Sequence, residues 1–315
     1  MIDEVIALAA GLFLVCKGGD LFVDSSVYIA TVMRVPRIIV GGTLVSLATT
    51  LPELVVSVTA SVMKNPGIAL GNAVGSVICN IGLILGGSAV LCQLSVPRED
   101  FRRRSLWLLV SSVLVILFSW SLYLSRPFAA ILLGIFVAYL YFDYRQITSN
   151  RGAETAETKT EPEGSLGKSI GKFLIGALLV VVGSRLLVKS AVAIATALGI
   201  PSIIIGLTIV AVGTSLPELV TAITAAKKGC ADLSIGNIIG ANILNLTLIT
   251  GASGVIFPLT LTRLTQVYSF SWLMIFVLLV MFLFWKEGKL GKRGGILLFS
   301  LYLIYLIGVT LIPFL

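Results

Sequence analysis

The chain has 315 residues, of which 57% are hydrophobic and only 12% charged, and its net charge is +8. A soluble domain covers its surface with about 25% charged residues, so a water-soluble fold is excluded. The chain contains no histidine, which removes the commonest general base and the commonest transition-metal ligand.

Apolar runs longer than a membrane-crossing stretch recur about ten times. They cover residues 2–33, 37–63, 67–92, 105–125, 128–144, 169–198, 202–226, 233–256, 267–285 and 295–313. The ten-residue alternation of a transmembrane β-barrel is absent, so the expected fold class is an all-α membrane protein. The first and sixth runs are too long for an upright crossing of a hydrocarbon core of ~30 Å and are expected to tilt. The acidic start, Asp3 and Glu4, speaks against a cleavable signal peptide.

With the N-terminus outside, 17 of the 23 basic residues fall in inner loops, among them Arg34, Arg37, Arg102, Arg103, Arg104, Lys227, Lys228, Lys289 and Lys292. Outer loops hold only Lys64, Arg126 and Arg263. This is the positive-inside asymmetry. It places both termini outside a cell (plasma or inner) membrane, and it makes the basic balance a record of topology rather than of a nucleic-acid partner. Cys16, Cys79, Cys92 and Cys230 lie in or beside apolar runs without metal-ligand spacing and are expected to be reduced and buried.

Shifted by 165 residues, the chain aligns with itself without a gap: between 36–82 and 201–247, 19 of 47 positions are identical. GGTLVSLATTLPELV meets GLTIVAVGTSLPELV, and GNAVGSVICN meets GNIIGANILN. Each copy holds five runs, an odd number, so the second copy is expected upside down relative to the first. Inverted repeats recur in secondary transporters, with substrate held near the midplane at the repeat interface. The expected organisation is ten transmembrane helices in two inverted-topology five-helix repeats, residues 1–145 and 169–315. A polar cytoplasmic linker, residues 146–168, joins them.

Four carboxylates lie well inside apolar runs: Asp20, Asp24, Glu53 and Glu218. A charge at bilayer depth costs at least about 2.5–3.5 kcal/mol and marks function by default. Glu53 and Glu218 are repeat-mates, each preceded by proline. Pro52 and Pro217 carry no N–H, so the carbonyls of Ala48 and Gly213 lose their helical partners. Such irregular backbone is tolerated at membrane depth where it lines a cavity or is buried in protein. Asp20 and Asp24 face Arg185 and Lys189 in the alignment, so they cannot form a symmetric site. Ion pairing between the two long helices, or snorkelling, is their expected role. Close packing is the expected role of Gly71, Gly75, Gly236 and Gly240.

The oxygens on offer are the carboxylates of Glu53 and Glu218, the carbonyls of Thr49 and Thr214, the hydroxyls of Thr50 and Ser215, and the amides of Asn80 and Asn245. Ca2+ takes roughly 6–8 oxygens in flexible geometry, which this set supplies. Zn2+ or copper would want Cys or His, and none is suitably placed.

The paired T-[TS]-L-P-E motifs, each followed by G-N-x-x-G-[SA] and ending in asparagine, resemble the repeats of the sodium/calcium exchangers within the calcium/cation antiporter superfamily. The resemblance covers both halves. It implies an antiporter with no cofactor whose transported ions are Ca2+ and Na+. Ca2+ would bind the carboxylates of Glu53 and Glu218 and the Thr49 and Thr214 carbonyls. Na+ would use the carboxylates with oxygens at Ser46, Thr50, Ser76, Ala211, Ser215 and Ala241, and Asn80 and Asn245 would stand at the centre. It further implies that the two long helices slide against the rest of the bundle. Three positions depart from the family pattern: Ala48 replaces a glycine, Ala241 a serine that helps hold sodium, and Asn245 an aspartate of some members. The expected partners are membrane lipid and small inorganic cations, and the chain is expected to act as a monomer. Proton coupling at the same glutamates is the alternative, a cation channel is less favoured, and an enzyme is not expected, since no nucleophile is matched to a base.

Overall fold

In lipid the backbone has no solvent to bond, so each apolar run pairs its own N–H and C=O groups as a helix. A computed structural model describes residues 2–64, 66–150, 165–198, 211–263, 265–285 and 288–311. In chain order the helices of the first half are α1 Ile2–Met33, α2 Arg37–Val40, α3 Ser46–Thr49, α4 Leu51–Val62, α5 Pro66–Cys79, α6 Gly86–Leu91, α7 Arg98–Phe118 and α8 Arg126–Asn150. Those of the second are α9 Leu166–Ala197, α10 Ala211–Thr214, α11 Leu216–Lys227, α12 Ala231–Leu244, α13 Thr250–Ile256, α14 Phe270–Trp285 and α15 Lys292–Leu311. Wider π turns occupy Gly41–Val45, Asn80–Leu85, Asn245–Ile249 and Thr265–Ser269. The first three join the helices around them into continuous spans.

Among the described residues, seven stretches are long and apolar enough to cross a membrane. An eighth is the pair Arg37–Thr49 and Leu51–Val62, bent by 48° at its break. Helix α7 is helical from Arg98, seven residues before the apolar run begins, because Pro97 precedes it and Glu99 and Asp100 in its first turn suit the helix dipole. Its charged first turns keep it out of the apolar set. The expected span 202–226 falls partly on residues 201–210, which lie outside the described residues, as does 151–164 of the linker. Helix α8 continues to Asn150.

The spans Pro66–Leu91 and Ala231–Ile256 run through the middle and are mostly buried, while α1, α8, α9 and α15 show most of their surface to the outside. Helices α1 and α9 cross through four glycines. A Cβ on Gly11 would meet Gly183 O at 3.0 Å, one on Gly183 would meet Gly11 O at 2.9 Å, and Gly18 and Gly176 crowd each other in the same way. Helix α6 packs on α15, and its repeat-mate α13 packs on α8, so the third span of each half lies on the last span of the other. Four two-residue strands finish the frame: β1 Leu94–Ser95, β2 Tyr123–Leu124, β3 Leu259–Thr260 and β4 Lys289–Leu290. β1 pairs antiparallel with β4, and β2 with β3. Both ribbons therefore tie one half to the other.

The two glycine pairs of the Gly-Asn segments turn out to differ. A Cβ on Gly236 would lie 2.3 Å from Ile38 O, and one on Gly240 would lie 2.4 Å from Gly42 O; one on Gly71 or Gly75 would meet nothing within 4 Å. Close packing thus explains the second pair alone. The variant Gly240→Ala is expected to lose about 1–3 kcal/mol of stability through backbone displacement. Gly75→Ala should be unchanged or more stable by up to about 1 kcal/mol, from helix propensity. Thermal unfolding in detergent of the two variants side by side checks this.

Candidate functional site

Proline sets the local geometry. Pro52 leaves the helix without one rung, and Thr50 departs from helical geometry at φ −81°, ψ 0°, so α3 ends and α4 begins. The second half breaks at the equivalent residue, Ser215, with φ −92° and ψ 12°. Each break puts its glutamate in the first turn of the following helix, Glu53 in α4 and Glu218 in α11, where free N–H groups favour an anion. On the crossing spans, the π turns begin at Asn80 and Asn245. Extra-residue turns of this kind recur at functional sites.

These elements converge. Glu53, Glu218, Asn80, Asn245, Ser46 and Ala241 are wholly buried, with Thr49, Thr50, Ser76 and Ser215 nearly so. Thr214 is half-buried, and the side chain of Ala211 lies outside the described residues. Within this cluster, three side-chain hydrogen bonds join the halves among the described residues. Ser215 Oγ donates to Glu53 Oε1 at 3.4 Å, Thr49 Oγ1 to Asn237 Oδ1 at 3.2 Å, and Asn80 Nδ2 to Asn242 Oδ1 at 2.9 Å. The Thr50 hydroxyl donates to Ser46 O, and Asn245 Nδ2 donates to Ala241 O at 2.9 Å.

What remains is an excess of acceptors. Glu53 Oε2, both carboxylate oxygens of Glu218, Asn80 Oδ1 and Asn245 Oδ1 are buried without a donor among the described residues. The amide nitrogens of Asn237 and Asn242 are also unpartnered there. The charged group that acts on Glu53 is Glu218, of the same sign, and neither glutamate forms an ion pair among the described residues. Buried acceptors without donors are costly, and two buried like charges more so. A cation answers both. No group of three or more His, Cys, Asp or Glu side chains is gathered among the described residues. A cation here would therefore meet two carboxylates and several neutral oxygens, the ligand chemistry of hard ions.

The structure adds residues that the sequence reading missed. Asn72 and Asn237, repeat-mates inside the Gly-Asn segments, brace the broken helices. Asn72 Nδ2 donates to Glu53 O at 3.3 Å and to Ser57 Oγ at 2.9 Å, while Asn237 receives Thr49. Their matched positions were the available signal. Asn242 aligns with Val77, so the repeat gave no sign of it.

Asp20 and Asp24 pair neither with Arg185 nor with Lys189: Lys228, beyond the end of α11, reaches them at 3.1 and 2.8 Å. Burial pulls the Lys228 ammonium down, but hydrogen bonds and charge from Asp24 and Asp20 outweigh it and leave it raised. A fifth carboxylate, Asp143, proves buried and paired with Arg104 at 3.0 Å. Of the four cysteines, none in a disulfide, Cys79 and Cys230 are buried as expected, while Cys92 is half-buried and Cys16 is exposed on α1.

Known proteins resemble this chain over nearly its whole length. The family model described as sodium/calcium exchanger protein matches residues 4–145 and 168–311. An uncharacterized membrane protein of Methanocaldococcus jannaschii is 36% identical over 93% of this chain and 94% of its own. The sodium/calcium exchanger MaX1 of Methanosarcina acetivorans is 32% identical over 96% of this chain and 97% of its own. A solved structure of the sodium-calcium exchanger NCX_Mj, soaked with Na+ and Ca2+, superposes with a TM-score of 0.83 at 34% identity, covering 96% of this chain and 97% of that one.

The bond between Asn80 and Asn242 is the buried polar link between the two central spans. A double-mutant cycle of Asn80→Ala and Asn242→Ala, read by thermal unfolding, is expected to show a coupling of about 1 kcal/mol. Strict additivity would mean that the two amides are independent.

Proposed function

The chain belongs to the sodium/calcium exchanger protein family, and on that premise we propose that it exchanges Ca2+ for Na+ by alternating access at one site built on Glu53 and Glu218. The observation that carries the reading is the set of donorless oxygens from both halves, gathered around two like-charged carboxylates with no basic partner among the described residues.

Charge supplies the mechanism. Ca2+ neutralises both carboxylates, with the Thr49 and Thr214 carbonyls beside them at the helix breaks. Two or more Na+ can do the same, using hydroxyls at Ser46, Thr50, Ser76 and Ser215. The unloaded site keeps two bare charges away from water, and moving them through the occluded state costs several kcal/mol. Only loaded forms switch, which makes the carrier an exchanger rather than a leak. Helices α1 and α9, fused through their glycine crossing and otherwise largely exposed, are the elements proposed to slide.

Ten spans in two inverted repeats fit the strand pairing. β1 follows three proposed spans and β4 nine, while β2 follows four and β3 eight. Each ribbon then joins strands on one face of the membrane, as pairing requires. The exchange of partners, β1 with β4 and β2 with β3, is what a two-fold axis between the halves produces, and the glycine crossing of α1 and α9 has the same symmetry. The asymmetry of the basic loops supports termini outside and a cytoplasmic linker. The monomer contains the whole proposed site.

One observation favours proton coupling as the second reading. Ala241, fully buried, offers a methyl group where a hydroxyl would complete a sodium position, and protons on Glu53 and Glu218 would neutralise the site equally well. The test is 45Ca2+ uptake into proteoliposomes loaded with Na+ and diluted into Na+-free medium at equal pH, beside a sodium-free set carrying a pH gradient. Sodium-driven uptake is expected, with at least a hundredfold loss in Glu53→Gln and in Glu218→Gln. Undiminished exchange in either variant would sink the shared-site reading; uptake driven by the pH gradient alone would transfer the coupling to protons.

A further inference from the structure

A buried polar chain outside the ion site ends on the turn that leads into it. Arg104 on α7 and Tyr139 and Asp143 on α8 are all but fully buried. Arg104 donates to Asp143 Oδ1 at 3.0 Å and to the Tyr139 hydroxyl at 2.6 Å, and Tyr139 in turn donates to the carbonyl of Gly42 at 2.8 Å. Gly42 belongs to the π turn Gly41–Val45, in which the N–H of Ser46 reaches back five residues to Gly41 O. A Cβ on Gly42 would lie 2.0 Å from Arg104 Nη1, and on another side a Cβ on Gly240 of α12 would lie 2.4 Å from Gly42 O. This one peptide is held between the Arg104–Tyr139 pair and a neighbouring backbone.

The next helix turn carries Ser46, Thr49 and Thr50, and the Ser46 carbonyl receives both the hydroxyl and the N–H of Thr50. Whatever sets the depth and rotation of the π turn therefore sets these oxygens. The equivalents of Arg104, Tyr139 and Asp143 in the other half are Ser269, Ile304 and Gly308, which cannot build such a chain. A buried ion pair is rarely a net gain in stability over apolar residues, so its presence in one half alone asks for another purpose.

We propose that Tyr139, held by Arg104 and Asp143, is a positioning residue that fixes the first-half oxygens of the coupling-ion position through the Gly42 carbonyl, and so sets the affinity for Na+ more than for Ca2+. The proposal rests on the reading that Ser46 and Thr50 contribute to that position. Selectivity follows from where the helix breaks. Glu53 lies beyond the break at Thr50 and Glu218 on α11, so the carboxylates that dominate Ca2+ binding sit on other helices. The π turn reaches the proposed Ca2+ ligands through Thr49 alone, whereas Ser46 and Thr50 of the proposed Na+ position both lie on the turn it sets. Na+, with half the charge, depends more on the neutral oxygens that the turn places.

Tyr139→Phe removes one hydroxyl and keeps the ring. In proteoliposomes of the full chain, the half-saturating Na+ for driving 45Ca2+ transport is expected to rise about three- to tenfold, the scale of one lost hydrogen bond. Ca2+/Ca2+ self-exchange, which needs no sodium, should keep its KM and maximal rate within about twofold. A parallel measurement follows thermal unfolding: the stabilisation produced by Na+ should shrink while that produced by Ca2+ persists. Equal changes in both ions' parameters, or no change in either, would overturn the proposal, since a general packing role predicts the first and no role the second. If wild-type uptake ignores sodium, the coupling reading fails on its own, and the same split is then sought between the half-saturating pH gradient and self-exchange. Its absence there overturns the proposal equally.

Discussion

Two carboxylates of like sign, fully buried and without a basic partner among the described residues, repel each other and leave acceptors unfilled. The surrounding architecture makes sense as the means of holding them there. A continuous helix would spend its backbone groups on itself. The proline breaks at Thr50 and Ser215 release carbonyls and turn helix N-termini toward the glutamates. The π turns at Asn80 and Asn245 let two amides enter the same space from the crossing spans. Glycines at 236 and 240 bring α12 against the backbone of the α2–α3 span, which keeps Thr49 within reach of Asn237. Each device weakens regular structure locally, and each is tolerated because protein rather than lipid surrounds it.

The two halves share sequence, yet the molecule is not symmetric in its polar interior. The Asn80–Asn242 bond joins a repeated position to an unrepeated one. The Arg104–Tyr139–Asp143 chain has no equivalent, and Lys228 secures α1 where Met63 is its alignment partner. A duplicated frame with unequal bracing holds the buried oxygens of one half more firmly than those of the other.

Much of this was legible in the residues. Glu53 and Glu218 stood out because apolar runs make a charge conspicuous and duplication marks it twice; the breaks followed from Pro52 and Pro217, and Asn80 and Asn245 from their matched positions. Other features were hidden for identifiable reasons. Asp143 sits beside Tyr144, Arg145 and Gln146, so it read as the polar end of a run, and only the packing of α7 on α8 buries it. Arg104 was one of three consecutive arginines. The start of α7 was masked by hydropathy, although Pro97, Glu99 and Asp100 carried the ordinary signs of a helix beginning. The partner of Asp20 and Asp24 depends on how α1 lies against α11, which no local pattern encodes. Gly71 and Gly236 are identical in sequence role and differ only in what approaches them.

The two short ribbons have a consequence for how the molecule is made. β1 emerges early in synthesis, and its partner β4 lies near the C-terminal end; β2 likewise waits for β3. Until the second half has been inserted, the first half carries strand edges and helix faces with no mate, and α6 and α8 lack α15 and α13. The chain therefore cannot be assembled as two finished modules in succession. Completion awaits the docking of one half onto the other, and a chain cut short before β4 would be left open on two counts, the edge of β1 and the face of α6.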